Sequence, residues 1–192
     1  MREGPGPSRR RRVPDEGTLE VFVADEQADE PVAVDRWAGL AEQVLTECGV
    51  RGDAELSVLF VDEQAMARLN ERFMGQAGPT DVLSFPIDED VVEVGRSPDS
   101  STAGPDRPPP EAGDAPVLLG DVVICPAVAA RQASAHAGSY DDEVALLVVH
   151  GVLHVLGMDH GDEGERAAMQ ARERDLLARF HGPLAGDPWA EP

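Results

Sequence analysis

Three histidines fall within eleven residues, in the stretch HGVLHVLGMDH that runs from His150 to His160. His150 and His154 are four residues apart, which places both rings on one face of an α-helix, about 6 Å apart along its axis. Gly157 follows, and because glycine commonly ends a helix and turns the chain back, His160 is predicted to return toward the other two. Three imidazole nitrogens leave one position of a tetrahedral zinc ion open, as in catalytic zinc sites. We therefore predict one zinc ion per chain, bound by His150, His154 and His160.

The residue after the first histidine distinguishes this stretch from a zinc peptidase. In the peptidase pattern HExxH that residue is a glutamate, the general base, whereas here it is Gly151. A phosphodiester brings its own negative charge to the metal and depends less on a protein base than a neutral amide does. Gly151 therefore favours a phosphodiester substrate. It also predicts that Gly151→Glu binds zinc normally, loses phosphodiester cleavage and gains no peptidase activity.

The same stretch resembles the HGxLHxxGxDH signature of the YbeY family, bacterial metal-dependent endoribonucleases of ribosomal RNA maturation. A second hallmark of that family, TDVLSFP, is matched from Thr80 to Pro86. The resemblance covers most of residues 18–180. It implies a single-strand-specific, zinc-dependent endoribonuclease, a hydrolase of phosphodiester bonds, that matures the 3′ end of small-subunit ribosomal RNA and acts in ribosome quality control. Ribosomal RNA and the ribosome or its small subunit are the implied partners.

The sequence offers only a few residues that could contact such a substrate. By the resemblance, the strand that carries Asp81 and Ser84 lines the cleft, and we take Ser84 as a candidate cleft residue. Arg68 and Arg72 are four apart on one predicted helix face and could grip phosphate, although solvated surface charge explains them equally well. The family usually has an arginine where this chain has Met74. No residue is assigned a catalytic step.

Two other functions remain open at this point. One is a zinc metallopeptidase that lacks the usual glutamate base. The other is a non-catalytic ribosome assembly factor in which zinc only stabilises the fold.

The composition is acidic, with a net charge of −21 and sixteen positive residues, all arginine. Nucleic-acid-binding proteins are usually basic, so binding of RNA would have to depend on a local arginine patch and the zinc ion. We expect no DNA partner. Cys48 and Cys125 form no CxxC motif and are predicted to be buried thiols in a reducing compartment. The sequence has no apolar stretch long enough for a membrane span and no secretion signal, which predicts a cytoplasmic protein.

Hydrophobic periodicity predicts an α+β fold. We expect a small mixed β-sheet of about four strands, packed by about five helices, one of which is a zincin-like metal helix. The predicted strands cover 18–24, 55–61, 82–85 and 118–125. The predicted helices begin near residues 35, 62, 126, 139 and 162. Asp35, Asp62, Ser139 and Asp162 are the residues that we expect to cap four of these helices.

Composition along the chain predicts one catalytic domain, residues 17–181, with appendages. Residues 1–16 are predicted to be a disordered, arginine-rich arm and residues 182–192 a loose tail. Within the domain, residues 88–116 form an acidic, proline-rich insertion. His136 has no partner at ligand spacing and is predicted to be a surface residue.

Overall fold

The computed structural model describes residues 18–87, 116–158 and 161–190. The described ranges contain the strands β1 (Leu19–Asp25), β2 (Ala54–Phe60), β3 (Val82–Pro86) and β4 (Val117–Ile124). They also contain the helices α1 (Val34–Glu47), α2 (Glu63–Met74), α3 (Pro126–Gln132), α4 (Tyr140–Val155) and α5 (Glu163–Phe180). The predicted α+β fold with a four-stranded mixed sheet is confirmed. The predicted arm, 1–16, and all of the predicted insertion except residue 116 lie outside the described residues.

The sheet has the strand order β1-β2-β4-β3. β1, β2 and β4 are parallel, whereas β3 pairs antiparallel with β4 at one edge. Side chains alternate between two cores, as the two-residue period of a strand requires. Leu56, Val58, Phe60, Val122 and Ile124 belong to the larger core, and Val61, Leu83 and Val123 to the smaller one. Residues of even number on β3, Ser84 among them, therefore face the larger core.

Helix α4 lies in the larger core, in contact with β3, β4, α1 and α5. Its residues from Val144 to Val149 are at most 5% exposed, which confirms the predicted buried helix. Each fully buried Val or Leu side chain contributes about 1.5–3 kcal/mol to the hydrophobic stabilisation, so α4 is held firmly. No helix in the described ranges is long and apolar enough to cross a membrane.

Three of the four predicted helix caps are confirmed. The side chains of Asp62, Ser139 and Asp162 each accept a hydrogen bond from the backbone of the first turn, and Asp162 forms a full capping box with Glu165. The prediction for Asp35 is wrong, because α1 begins one residue earlier and its N-cap, Ala33, has no side-chain acceptor. Asp35 lies instead inside the first turn, where its negative charge still favours the helix dipole.

The segment after α5 is packed against the protein, which corrects the prediction of a loose tail for residues 182–190. The backbone amide of Gly186 donates to the carbonyl of Ala137 at 2.7 Å, and that of Ala185 donates to Asp142 at 3.1 Å. Leu184 and Trp189 pack on the larger core. Residues 191 and 192 lie outside the described residues.

Asp142 anchors this segment to the start of α4. Its carboxylate accepts hydrogen bonds from Ser139 at 2.7 Å and from Ala185, and it pairs with His181 Nε2 at 2.8 Å. Burial raises the pKa of Asp142, but the hydrogen bonds from His181, Ser139 and Ala185 outweigh it, so the pKa lies below its ordinary value. The charged form of Asp142 therefore stabilises the fold.

Candidate functional site

His150 and His154 lie side by side at the C-terminal end of α4. Their ring centroids are 4.5 Å apart in an edge-to-face arrangement, as the i, i+4 spacing predicts. The helix ends at Val155 with Leu156 as its C-cap, and Gly157 takes a positive φ of 85°. Its amide donates to His154 and that of Met158 donates to Leu153, the two bonds of a Schellman motif. The predicted helix end and turn are confirmed.

The turn at Gly157 leads into Asp159 and His160, which lie outside the described residues. His160 as third zinc ligand therefore stays a prediction. Within the ranges 18–87, 116–158 and 161–190, no group of three His, Cys, Asp or Glu side chains is gathered closely enough to hold a metal ion.

A buried carboxylate on α5 orients His150. Glu173 is 4% exposed; its Oε1 lies 2.7 Å from His150 Nδ1, and its Oε2 accepts a hydrogen bond of 2.7 Å from Trp189 Nε1. A carboxylate can only accept, so Nδ1 is the nitrogen of His150 that donates to Glu173. This is the arrangement in which carboxylates commonly hold a zinc-binding histidine.

The two histidine rings line a cleft of about 420 Å³ between α4 and the edge strand β3. We call it the histidine cleft. Its other lining residues include Met74, Val82, Ser84 and Met158. Ser84 thus lies where the sequence places it, next to the histidines, and its hydroxyl donates to the carbonyl of Gly151 at 3.3 Å. Met74, at the end of α2, presents a thioether where an arginine would have presented charge.

Gly151 faces the sheet, not open space. A Cβ built on Gly151 would lie 2.4 Å from Val122 Cγ1 and 3.3 Å from Ser84 Oγ, so the helix can approach the sheet only because this residue has no side chain. Normal zinc binding by Gly151→Glu stays a prediction, and this packing argues against it. A glutamate at this position would require Val122 or helix α4 to shift, because its Cβ would overlap the Val122 side chain.

Arg68 and Arg72 lie on α2 and are exposed. Neither lines the histidine cleft. The Arg72 guanidinium lies 5.1 Å from the ring centroid of Phe73, which in turn packs edge-on against Phe85. The structure does not bring these two arginines together with the histidines.

A second cleft, of about 330 Å³, adjoins the first on the other side of His150. We call it the tryptophan cleft. Its polar lining consists of Asp81, His136, His150, Arg166, Gln170 and Glu173, and Trp189 closes it. Val82 and His150 line both clefts, so the two meet at the candidate site.

His136 lines the tryptophan cleft with 40% of its side chain exposed, as a surface residue would be, and it has a carboxylate partner that its spacing in the sequence did not indicate. Its Nδ1 lies 2.9 Å from Oε1 of Glu143, a carboxylate with no exposed surface. Gln132 Nε2 bridges the same Glu143 oxygen to Asp81 Oδ2, at 2.8 and 2.7 Å. A hydrogen-bonded chain thus runs from the edge strand to the start of α4 and holds one wall of the cleft.

Glu173 and Trp189 are the residues of the candidate site that the sequence analysis missed. Glu173 carries a detectable signal, since it interrupts the apolar stripe of α5 formed by Met169, Leu176 and Leu177. A carboxylate at such a position must be paired when buried. Trp189 carries no such signal, because its segment has no periodic pattern.

The chain is similar to known proteins over most of its length. The YbeY family model, described as Endoribonuclease YbeY, matches residues 22–181. A relative from Salinispora tropica named Endoribonuclease YbeY is 46% identical over 162 residues, which cover 84% of this chain and 96% of the relative. One of the same name from Thermobifida fusca is 44% identical over 166 residues, 86% of this chain and 97% of the relative.

The fold also resembles a solution structure of a protein from Thermotoga maritima. The two match with a TM-score of 0.49 and 20% sequence identity, over 89% of this chain and 99% of the other.

Proposed function

This chain belongs to the YbeY family, and on that premise we propose that it is a metal-dependent endoribonuclease that cleaves single-stranded RNA. We further propose that its substrate is ribosomal RNA, at the 3′ end of the small-subunit molecule, and that it serves ribosome maturation and quality control. Its partners would be the ribosome or its small subunit, and its place of action the cytoplasm.

The observation that carries this proposal is the histidine pair with its buried support. His150 and His154 point into one cleft from a helix that is buried along its length, and Glu173 fixes the ring of His150. Such rigid backing is what a metal site needs to hold its ligands in position. A purely structural role for these polar rings would not require both of them to line one cleft.

These residues suit zinc. Two neutral imidazoles at i, i+4 are a usual part of a zinc site, and Glu173 stands behind the first of them as an orienting carboxylate. His160 would complete the set at one zinc ion per chain. Bound zinc supplies a Lewis acid that polarises a phosphoryl oxygen and makes water more acidic.

The protein's own residues do the rest of the work. His150 and His154 would hold the metal on the α4 side of the histidine cleft, and Glu173 fixes the orientation of the His150 ring through Nδ1. Ser84 ties the edge strand to α4 through the carbonyl of Gly151, so the histidine cleft keeps its width as substrate enters.

The packing around Gly151 supports RNA over peptide as the substrate. A peptidase glutamate at this position has no room, because Val122 already occupies the space. A substrate that carries its own charge fits the site better than one that needs a protein base.

The test is cleavage of RNA by the purified protein. Single-stranded ribosomal RNA fragments, the corresponding duplexes and assembled small subunits are incubated with wild-type protein, with and without a chelator. We expect cleavage of the single strand, loss on chelation and recovery with zinc. A wild type that binds zinc yet cuts no RNA would favour the assembly-factor alternative, and digestion of an unstructured protein would favour the peptidase.

A further inference from the structure

The tryptophan cleft has the size and lining of a site for one nucleotide. Its volume of about 330 Å³ lies at the small end of the range for small-molecule sites, ~300–1,000 Å³. Leu146, Leu147 and Met169 contribute apolar surface to its lining. Apolar walls with a few polar groups at the margin are typical of sites that bury a flat ring.

Trp189 is held in one orientation within this cleft. Its Nε1 donates to Glu173 at 2.7 Å, and the Arg174 guanidinium lies 4.5 Å from its ring centroid. Aromatic side chains fixed in this way are the usual platforms on which single-stranded bases stack.

Arg166 brings positive charge to the cleft. It lies in the first turns of α5, is exposed, and forms no ion pair with any residue in the described ranges. Of the arginines in those ranges, Arg166 is the one that lines a cleft together with His150. Its fork of donors suits a phosphate, in a chain whose net charge is −21.

Gln170 lies one turn further along α5 and is partly buried at the same cleft. Its amide offers both donors and an acceptor, which is the chemistry that reads the edge of a base. Arg166 and Gln170, four residues apart, share one helix face.

We propose that the tryptophan cleft binds the nucleotide next to the scissile phosphate of single-stranded RNA. The base stacks on Trp189 with its edge on Gln170, and Arg166 holds the phosphate of that nucleotide. Because His150 and Val82 line both clefts, a strand whose scissile phosphate lies at the histidines reaches this cleft with its neighbouring residue. The inference rests on the proposed function for its RNA context.

The test uses the fluorescence of Trp189. The chain has two tryptophans, and Trp37 is 1% exposed in the core, so a change on ligand addition reports on Trp189. The zinc-loaded full chain is titrated with 5′-nucleoside monophosphates and with ribose 5-phosphate. We expect saturable quenching by the nucleotides and binding about tenfold weaker for the sugar phosphate, which cannot stack.

Two variants and a control locate the contacts. Arg166→Gln and Gln170→Ala should each weaken nucleotide binding by about tenfold, the loss of one charged or base-edge contact. Arg51→Gln removes the same charge from the loop before β2, outside both clefts, and should bind like wild type. In cleavage assays, an RNA that is abasic next to the cut should have a raised KM with nearly unchanged kcat.

The outcomes separate this inference from the proposed function. Absent quenching, equal weakening by Arg51→Gln, or sugar phosphate that binds as tightly as nucleotide would each overturn the nucleotide site, even if RNA is cleaved. Nucleotide binding by a protein that cleaves no RNA would instead sink the nuclease proposal and leave the site standing.

Discussion

The two ends of α4 carry the same kind of pair, a histidine against a carboxylate, in two different settings. At the N-terminal end, His181 Nε2 lies 2.8 Å from Asp142 and its Nδ1 lies 3.3 Å from an Arg36 guanidinium nitrogen. The His181 side chain is 6% exposed. At the C-terminal end, His150 Nδ1 lies 2.7 Å from Glu173, but its side chain is 26% exposed and lines both clefts.

The difference separates a histidine of the candidate site from one that only stabilises the fold. Both pairs have a buried carboxylate, so the pairing itself does not distinguish them. His181 uses both ring nitrogens within the protein and stacks on Trp37, which is the arrangement of a structural lock. The ring of His150 contacts its carboxylate through Nδ1 and also lines both clefts, so it is open to a ligand from the cleft side.

The largest effect is expected from removing a histidine at the C-terminal end. His154→Ala should lose zinc and RNA cleavage, by roughly a thousandfold if the metal supplies about 4 kcal/mol to the transition state. It should also lose the zinc-dependent gain in stability, about 4 kcal/mol at a thousandfold excess over Kd. Elemental analysis and melting with and without zinc measure both.

The matched variant at the other end is His181→Ala. This variant should have a lower melting temperature both with and without zinc, because the contacts of His181 with Asp142 and Arg36 are lost. It should still bind zinc, because the candidate site at the other end of α4 is unchanged. A full zinc content in His154→Ala, or a loss of zinc in His181→Ala, would contradict the assignment of the metal site to the C-terminal end of α4.

Gly151→Glu should destabilise the protein by more than about 3 kcal/mol, because overpacking a core typically costs about 1–3 kcal/mol for a few extra methylenes and this change also buries a carboxylate. Gly151→Ala should cost on the order of 1 kcal/mol, since the better helix propensity of alanine recovers about 1 kcal/mol. Denaturant unfolding of both variants gives these values.

A double variant identifies the clash as the cause. Val122→Ala should partly rescue Gly151→Ala, with a favourable coupling of about 1 kcal/mol. Additive effects in that cycle would mean that Val122 is not what limits residue 151.

Glu173→Gln tests whether the carboxylate that accepts the Nδ1 proton of His150 matters for zinc binding. An amide can offer its NH₂ to Nδ1 and so favours the other tautomer of His150. Zinc affinity should fall by about 10–100-fold, the usual cost of losing an orienting partner, with little change in melting of the zinc-free protein. Trp189→Phe, which removes the Nε1 donor together with part of the ring, should have a smaller effect on zinc affinity in the same direction.

Asp142→Asn tests the structural end by pH and should have the smallest effect. The pKa of Asp142 is lowered in the fold, so its stabilisation is present above the unfolded pKa of about 4 and is lost as pH falls through the lower folded pKa. The free energy of unfolding of the wild type should exceed that of Asp142→Asn by about 1.5 kcal/mol at pH 7. This difference in stability should disappear below pH ~4. A gap that does not depend on pH would show that the charge of Asp142 is not what matters.

Local patterns predicted the fold and the centre of the site. Leu56, Val58 and Phe60 recur at every second position, which predicts a strand. The apolar run of α4 is too long for a strand and predicts a buried helix. The spacing of His150 and His154 then places both rings, because a helix leaves little freedom once its boundaries are known.

The remainder of the site depends on contacts between residues far apart in the chain. Glu173 reaches His150 across 23 positions, and Trp189 reaches Glu173 from a segment with no pattern of its own. The direction of Gly151 toward Val122 depends on the rotation of α4 on the sheet, which the packing of three other elements sets. None of these can be read from a window of sequence.

The contact between Gly151 and Val122 has a consequence for how the family could diversify. A glutamate at 151, the residue that would supply a peptidase base, is acceptable only after the strand beneath has lost a methyl group and the helix has shifted. A lineage that acquired the two changes in the opposite order would pass through a chain that folds poorly. Selection would remove that chain before its new chemistry could be of use. In this chain, the closeness of α4 to β4 at Gly151 would thus separate the proposed nuclease from a peptidase, although the histidines of both share the same spacing.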